Sequence, residues 1–239
     1  MNVSVRLFAG LRDAVGSRLV TLDLPAGATV VELKQRLGDE YPSVRAMLDT
    51  VACAIDDEYV TADERIREHV EVALIPPVSG GAGADEGVAM SELFRITEDV
   101  LDGQALVKLV ERPEAGGVTL FYGNVRNFSE GRDVNRLEYE AHESMALKTM
   151  REVAEETKRA FPDICEIGVW HRIGTLEIGE TSLLVAVSSP HRKESFDACH
   201  WAVDRIKEVV PVWKKEHWAD GSAWVEGHAV EAPETAPSS

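Results

Sequence analysis

Apolar positions change their spacing several times along this chain, and the changes mark its elements. Val3, Val5 and Leu7 alternate with polar residues, and Leu19 to Leu24 forms a second short apolar run. Alternation puts every second side chain on one face of a pleated backbone, so both runs predict strands, joined as a hairpin by a turn near Gly16. Thr29 opens a helix. It stands three residues before Glu32, the spacing of a reciprocal cap, and Val30, Leu33 and Leu37 follow at helical intervals until Pro42 stops them. Val51 to Ile55 and Val70 to Ile75 predict two further strands. Strand, strand, helix, strand, strand in about 75 residues is enough for a small core, and the last strand runs straight into Pro76-Pro77-Val78-Ser79-Gly80-Gly81.

Beyond that point the pattern restarts. Leu101 to Val110 predicts a helix ending before Pro113, and Gly116 to Val125 a strand with Val118, Leu120 and Tyr122 at period two. Asn127 to Asp133 is polar and glycine-containing, which predicts a mobile loop. Leu137 to Tyr139 returns as a strand, and Glu143 to Phe161 is a long helix closed by Pro162. Ile164 to Trp170 and Ser182 to Val187 are β-branched strand segments, with turns at Gly174 and Gly179 between them. Lys193 to Val210 forms a second amphipathic helix stopped by Pro211, and Trp213 to Val225 a hairpin around Gly221. The chain therefore divides into residues 1–81, a Gly/Ala-rich linker over 82–91, a larger α+β unit over 92–228, and a Pro/Ala/Ser-rich tail over 229–239 expected to be disordered.

Composition narrows the function classes. With 44% hydrophobic and 28% charged residues the chain has the profile of a folded, soluble protein. No apolar run reaches the length of a membrane span and the N-terminus lacks a signal-peptide pattern, so the expected location is cytoplasmic and no membrane is expected as a partner. The formal charge is −17, with 8 basic against 13 acidic residues in 1–81 and 17 against 29 thereafter. Such a balance argues against nucleic acid as a partner, because neutralising phosphates needs a basic face. Cys53, Cys165 and Cys199 are too few and too scattered for a disulfide framework or a paired-cysteine metal site, and no metal is expected.

Against the acidic background three segments concentrate positive charge: Gly123-Asn124-Val125-Arg126, Ser189-Pro190-His191-Arg192-Lys193, and Lys207 through Pro211-Val212-Trp213-Lys214-Lys215-Glu216. Each ends a predicted strand or helix, where a loop presents side chains from a rigid scaffold. Arginine offers a planar fork for phosphate oxygens, and histidine and lysine add point donors, so together they suit a phosphorylated small molecule. Taken singly, each has a plainer reading. A lysine on an amphipathic helix is usually solvated, an arginine finds one of many carboxylates, and His191 is placed to cap the helix that follows. Gly80-Gly81 also has two readings. It is a flexible tether, or, with a free end, a slim tail that threads a narrow channel.

The motifs decide between these through their joint order. Residues 1–81 resemble the ubiquitin-like β-grasp fold, most closely the small, sulfur-carrying subunit of the molybdopterin synthase family, through Val5-Arg6-Leu7-Phe8-Ala9 and the terminal Pro76 to Gly81. Gly123 to Arg126, Leu137-Glu138-Tyr139-Glu140, His171-Arg172-Ile173-Gly174, Ser189 to Arg192, and Lys207 with Pro211 to Glu216 resemble, in that order, the large catalytic subunit of the same family. The resemblance implies a natural fusion of the two subunits: a β-grasp domain followed by an α/β-hammerhead-type catalytic domain.

It also implies a chemistry, that of a sulfurtransferase. Gly81 becomes the sulfur carrier as a thiocarboxylate, with Gly80 behind it, after activation by a separate adenylating and sulfurating enzyme. Its sulfur passes to cyclic pyranopterin monophosphate, forming the molybdopterin dithiolene, with no further cofactor at the site. By the same resemblance Lys207 and Lys214 are the functional lysines. Asn124, Val125, Arg126, His191, Arg192, Lys215 and Glu216 are then the substrate contacts, and the catalytic domain forms a homodimer. Lys207, crowded by Lys214, Arg126 and Arg192, is expected to have a lowered pKa. The family's arginine shortly after Trp-Val-Glu has no counterpart, since the chain continues Trp224-Val225-Glu226-Gly227-His228. The fusion raises a covalent problem: while Ala82 follows, the Gly81 carbonyl is an amide, and sulfur loading requires cleavage between them. The competing reading keeps Gly80-Gly81 as a permanent tether between a ubiquitin-like module and a domain that only binds a phosphorylated ligand.

Overall fold

A computed structural model describes residues 1–76, 92–129 and 131–225. Gly80, Gly81, the linker over 82–91, His228 and the tail over 229–239 lie outside the described residues. Contacts divide the chain into two compact units, each described by itself below.

The first unit contains β1 (Asn2–Leu7), α1 (Ala9–Val15), β2 (Leu19–Asp23), α2 (Val30–Glu40), β3 (Ala52–Ile55), β4 (Glu58–Val60) and β5 (Glu71–Ile75). Its sheet has the order β2-β1-β5-β3-β4, with β1 and β5 parallel at the centre and the other pairs antiparallel. The alternating positions Val3, Val5 and Leu7 join Val72 and Leu74 to form one face, and α2 covers it with Val30, Leu33 and Leu37. Each such side chain taken from water contributes about 1.5–3 kcal/mol, which makes this face the main source of the unit's stability. The cap at the start of α2 forms as its spacing predicts: Thr29 Oγ1 accepts from the Glu32 N–H, and the Glu32 carboxylate accepts from the Thr29 N–H at 2.7 Å. This is the β-grasp arrangement.

One expectation is corrected here. β1 and β2 pair antiparallel, but α1, and not a tight turn, connects them. Gly16 sits at φ +79° and closes that helix, its N–H bonding to the Arg12 carbonyl at 2.7 Å. Seven residues are two turns, too short for the apolar period to register; burial of Leu11 holds the helix in place.

In the second unit a four-stranded sheet has the order β6 (Phe94–Thr97), β11 (Glu166–Arg172), β13 (Thr181–Ser189), β7 (Gly117–Asn124). A second sheet has the order β12 (Gly174–Glu177), β10 (Arg136–Ala141), β14 (Val212–Trp218), β15 (Gly221–Trp224). β8 (Phe128–Ser129) and β9 (Arg132–Asp133) form a small hairpin inside the segment expected to be a loop. α3 (Gly103–Val110) lies on one face of the first sheet, where an added Cβ on Gly168 would come within 2.7 Å of Leu106. α4 (Glu143–Ala160) and α5 (Arg192–Val209) lie on the other, burying Met150, Val153, Ala198, Ala202 and Ile206 against the strands. β6, β8, β9 and β12, of two to four residues each, were not anticipated; β6 and β12 pair with the longer β11 and β10, while β8 and β9 pair only with each other.

β7 and α5 run side by side, and this positions the site. At one end, a Cβ on Gly117 would lie 3.6 Å from the Arg192 Cα; at the other, the Lys207 ammonium lies over the Phe121 ring.

Candidate active site

Lys207 occupies the last turn of α5. Its side chain is exposed, with Nζ 5.6 Å from the Phe121 ring centroid. A cation over an aromatic face gains about 0.5–1 kcal/mol at an exposed position, enough to bias where the ammonium rests without burying it. The next residue on that face of β7 is Gly123. A Cβ there would fall 3.2 Å from the Phe121 ring, so glycine is what allows the ring to lie along the strand.

Lys214 arrives from a different element. On β14 it stands directly opposite Tyr139 of β10, with Glu216 two residues on and therefore on the same face. Lys214 Nζ is 3.1 Å from Glu216 Oε1, and the Glu216 side chain is only 7% exposed. A carboxylate so far removed from water needs a cation, so Glu216 fixes the lysine as much as the lysine fixes it. Lys215 faces the opposite way, its Nζ 5.4 Å from the Trp224 ring and its strand partner Glu138. Adjacent strand residues point to opposite faces, so Lys214 and Lys215 do not share a site in one chain.

Tyr139, Ser182 and Gly123 connect the two lysines. The Tyr139 phenol is hydrogen-bonded to Ser182, and the Ser182 hydroxyl donates to the Gly123 carbonyl at 3.0 Å. Burial raises the Tyr139 pKa, the Ser182 hydrogen bond offsets part of that rise, and the Glu216 carboxylate adds a smaller increase, so the phenol stays neutral. The Tyr139 ring meets His171 edge-on at 5.1 Å, and full burial pushes the His171 pKa down to about 4, keeping its imidazole neutral. Beside them the Thr181 hydroxyl donates to Asn124 Oδ1 at 2.9 Å and thereby orients the amide. Tyr139 and His171 stand in two of the motifs that carry the resemblance, but nothing in their spacing says that their side chains meet.

Not every expected contact gathers here. Val125 is 3% exposed and packs with Val134, Leu137 and Leu176, while its N–H bonds to the Glu180 carbonyl and its carbonyl accepts from Gly179, both at 2.9 Å. It is a packing residue of the site wall. Arg126, just beyond β7, is exposed at the Lys207 end. His191 and Arg192 are at the far end of α5. Fifteen residues at 1.5 Å rise separate Arg192 from Lys207, about 22 Å along the helix. Arg192 of the same chain therefore does not crowd Lys207, contrary to expectation. His191 holds the N-cap position of α5 without making a side-chain cap bond, so capping does not explain it.

Among the described residues no group of three or more His, Cys, Asp or Glu side chains is placed to hold a metal ion. Cys53 and Cys199 are buried thiols whose pKa burial pushes up to about 11, which leaves them poor nucleophiles, and Cys165 is half-buried. No helix among the described residues is long and apolar enough to cross a membrane.

Comparison with known proteins identifies the family. The MoaE protein family matches residues 96–209, and the ThiS family matches residues 5–81, ending on the second glycine of the Gly-Gly pair. A molybdopterin synthase catalytic subunit of Aedes aegypti is 47% identical over 136 residues, covering 56% of this chain and 88% of the relative. A catalytic subunit of Bacillus subtilis is 42% identical over 134 residues, covering 56% and 85%. The crystal structure of molybdopterin synthase from Staphylococcus aureus superposes with a TM-score of 0.54 at 39% identity, covering 57% of this chain and 98% of that one. With relatives matched over most of their length and a carrier-family match upstream, the chain belongs to the molybdopterin synthase family, enzymes of molybdenum cofactor biosynthesis, and carries the small and the large subunit in one polypeptide.

Proposed function

We propose that this protein transfers sulfur from a thiocarboxylate on Gly81 to cyclic pyranopterin monophosphate, forming the molybdopterin dithiolene in the cytoplasm. The observation that carries the reading is the placement of Lys207 over Phe121 of β7 and of the Lys214–Glu216 pair beside Tyr139, whose phenol is hydrogen-bonded to Ser182 on the strand paired with β7. The thiocarboxylate sulfur bonds to a side-chain carbon of the pterin as a C–O bond there breaks and the departing oxygen takes a proton. Water then hydrolyses the resulting thioester, leaving the sulfur on the pterin and Gly81 as a carboxylate. A second thiocarboxylate repeats the transfer to complete the dithiolene. Lys207, exposed and close to the reacting groups, donates or accepts the proton. Lys214, held by Glu216, stabilises the developing negative charge. Asn124 and Arg126 meet the substrate from the loop after β7, with Arg126 suited to its phosphate.

His191 and Arg192 belong to this site through a second copy. β7 is an edge strand of its sheet. Two chains related by a two-fold axis across their β7 edges run those strands antiparallel, so the Gly117 end of one chain, with its Arg192, lies beside the Asn124 end of the other. The same operation offers Lys215 no closer approach, which leaves its contact role the weakest of the set.

Sulfur loading needs a free Gly81 carboxyl group, so the chain is cleaved between Gly81 and Ala82 before a separate adenylating and sulfurating enzyme acts. Intact mass measurement on protein from its native host tests this. The expected result is an N-terminal fragment ending at Gly81, in part 16 mass units heavier where sulfur replaces oxygen, together with turnover of cyclic pyranopterin monophosphate. Active material that is wholly full length would overturn the cleavage, and processed protein that binds the pterin without making product would favour the tethered binding module.

A further inference from the structure

Tyr139 has no part in the chemistry just described, yet it stands opposite Lys214 on one strand and is hydrogen-bonded to Ser182, next to β7, on another. On β10 it stands opposite Lys214 on one side and Gly174 on the other, so of its two cross-strand neighbours only the lysine has a side chain. Its hydroxyl is hydrogen-bonded to Ser182, whose O–H donates to the Gly123 carbonyl. Ser182 is 6% exposed, so a broken link in this path is poorly replaced by water. Gly123 in turn lies between Asn124, which meets substrate in the proposed reaction, and the Phe121 ring under Lys207. Around it the Tyr139 ring meets His171 edge-on, and Val125, Leu137 and Leu176 pack as an apolar cluster. Apolar packing sets a distance but not a direction.

We propose that Tyr139 is a positioning residue that fixes the Lys214–Glu216 pair against the Gly123–Asn124 end of β7 through Ser182. The inference rests on Lys207 and Lys214 forming the reacting centre. A displacement of about 1 Å between groups that must converge in a transition state costs up to about 100-fold in rate, so one hydroxyl suffices for a measurable effect.

The test compares Tyr139→Phe, Ser182→Ala, the double variant and Ser182→Thr in the full chain after processing. Tyr139→Phe keeps the ring against His171 and removes only the path. Its kcat is expected to fall about 10-fold with KM within about twofold and the melting temperature within about 3 °C of wild type. Ser182→Ala is expected to match it, the double variant to be no worse than either single one, and Ser182→Thr to recover most of the rate, because all act on one path. Amide hydrogen exchange at residues 121–126 is expected to quicken about 10-fold in both single variants. Wild-type kcat in Tyr139→Phe, losses that multiply in the double variant, or a rate loss that follows the melting temperature would each overturn the proposal. If the wild-type chain made no product, the proposed function would fail, and unchanged exchange at residues 121–126 would still refute the positioning role on its own.

Discussion

The two ends of β7 are similarly basic in sequence and unlike in structure. At the Asn124 end three of the proposed site residues are anchored by another group: Lys207 over Phe121, Lys214 on buried Glu216, Asn124 on Thr181, while Arg126 is exposed. At the Gly117 end the backbone is tightly built while His191 and Arg192 stand exposed. An added Cβ on Gly116 would come within 2.3 Å of the Pro190 carbonyl, and the His191 ring caps nothing. Anchoring costs a side chain its freedom in advance and suits groups that act on reacting atoms; a rigid loop with free side chains suits groups completed by something outside the chain. The difference teaches that motif order along the sequence does not reveal that these residues fall at two separate ends of one strand.

The sharpest way to break this comparison is to disable one end in each of two variants and mix them. Lys207→Ala is expected to lower turnover about 10³-fold, in the range for loss of a general acid or base. Arg192→Ala is expected to cost about 10–100-fold through a lost phosphate contact. In a two-fold dimer with shared sites, the mixed dimer has one site with both residues intact and one with neither. After random re-association of equal amounts, about a quarter of wild-type activity returns, since half the dimers are mixed and half their sites work. Turnover in steady-state assays before and after mixing provides the measurement. Recovery no greater than the average of the two variants would mean that Arg192 acts in its own chain or not at all.

How much was legible follows from the range of each signal. The α5 helix and the β1, β5, β7 and β13 strands were readable because each has an apolar period of its own, and Thr29 with Glu32 announced the start of α2. β12 and β6 have four residues each and are strands only because β10 and β11 pair with them, which no local pattern records. In the site, Lys207 and Lys214 were singled out from motifs, whereas Ser182 was read only as the start of an apolar strand. Its value lies in reaching Tyr139 and the Gly123 carbonyl 59 residues away, a fact of tertiary packing. Val125 erred in the other direction. It sits inside a motif of polar contacts, but strand alternation turns it into the Leu137–Leu176 cluster.

Acid sharpens the contrast, because only the Asn124 end contains a fully buried titratable ring. His171 has a folded-state pKa of about 4 against about 6.5 in an unfolded chain, so folding favours its neutral form. Its contribution is complete above about pH 6.5, declines as the unfolded state takes up a proton between pH 6.5 and 4, and is spent below 4. The sum is about 3 kcal/mol, an upper figure for a group so buried. Urea midpoints across that window are expected to fall in the wild type and to fall markedly less in His171→Phe. Equal pH dependence in both would show that other groups govern the acid limb.

The smallest effect lies at the other end. His191 is exposed and makes no side-chain cap bond, so His191→Ala is expected to change stability by no more than about 0.5 kcal/mol, the usual range for a surface substitution. Loss of a capping side chain would instead cost about 1 kcal/mol, which thermal unfolding resolves. The same variant is expected to lower turnover several-fold, since a ring without structural employment in its own chain is free to meet substrate held by another. An unaltered rate would leave Arg192 as the sole contribution of the Gly117 end, and a stability loss of 1 kcal/mol or more would mean that the two ends differ less than their contacts indicate.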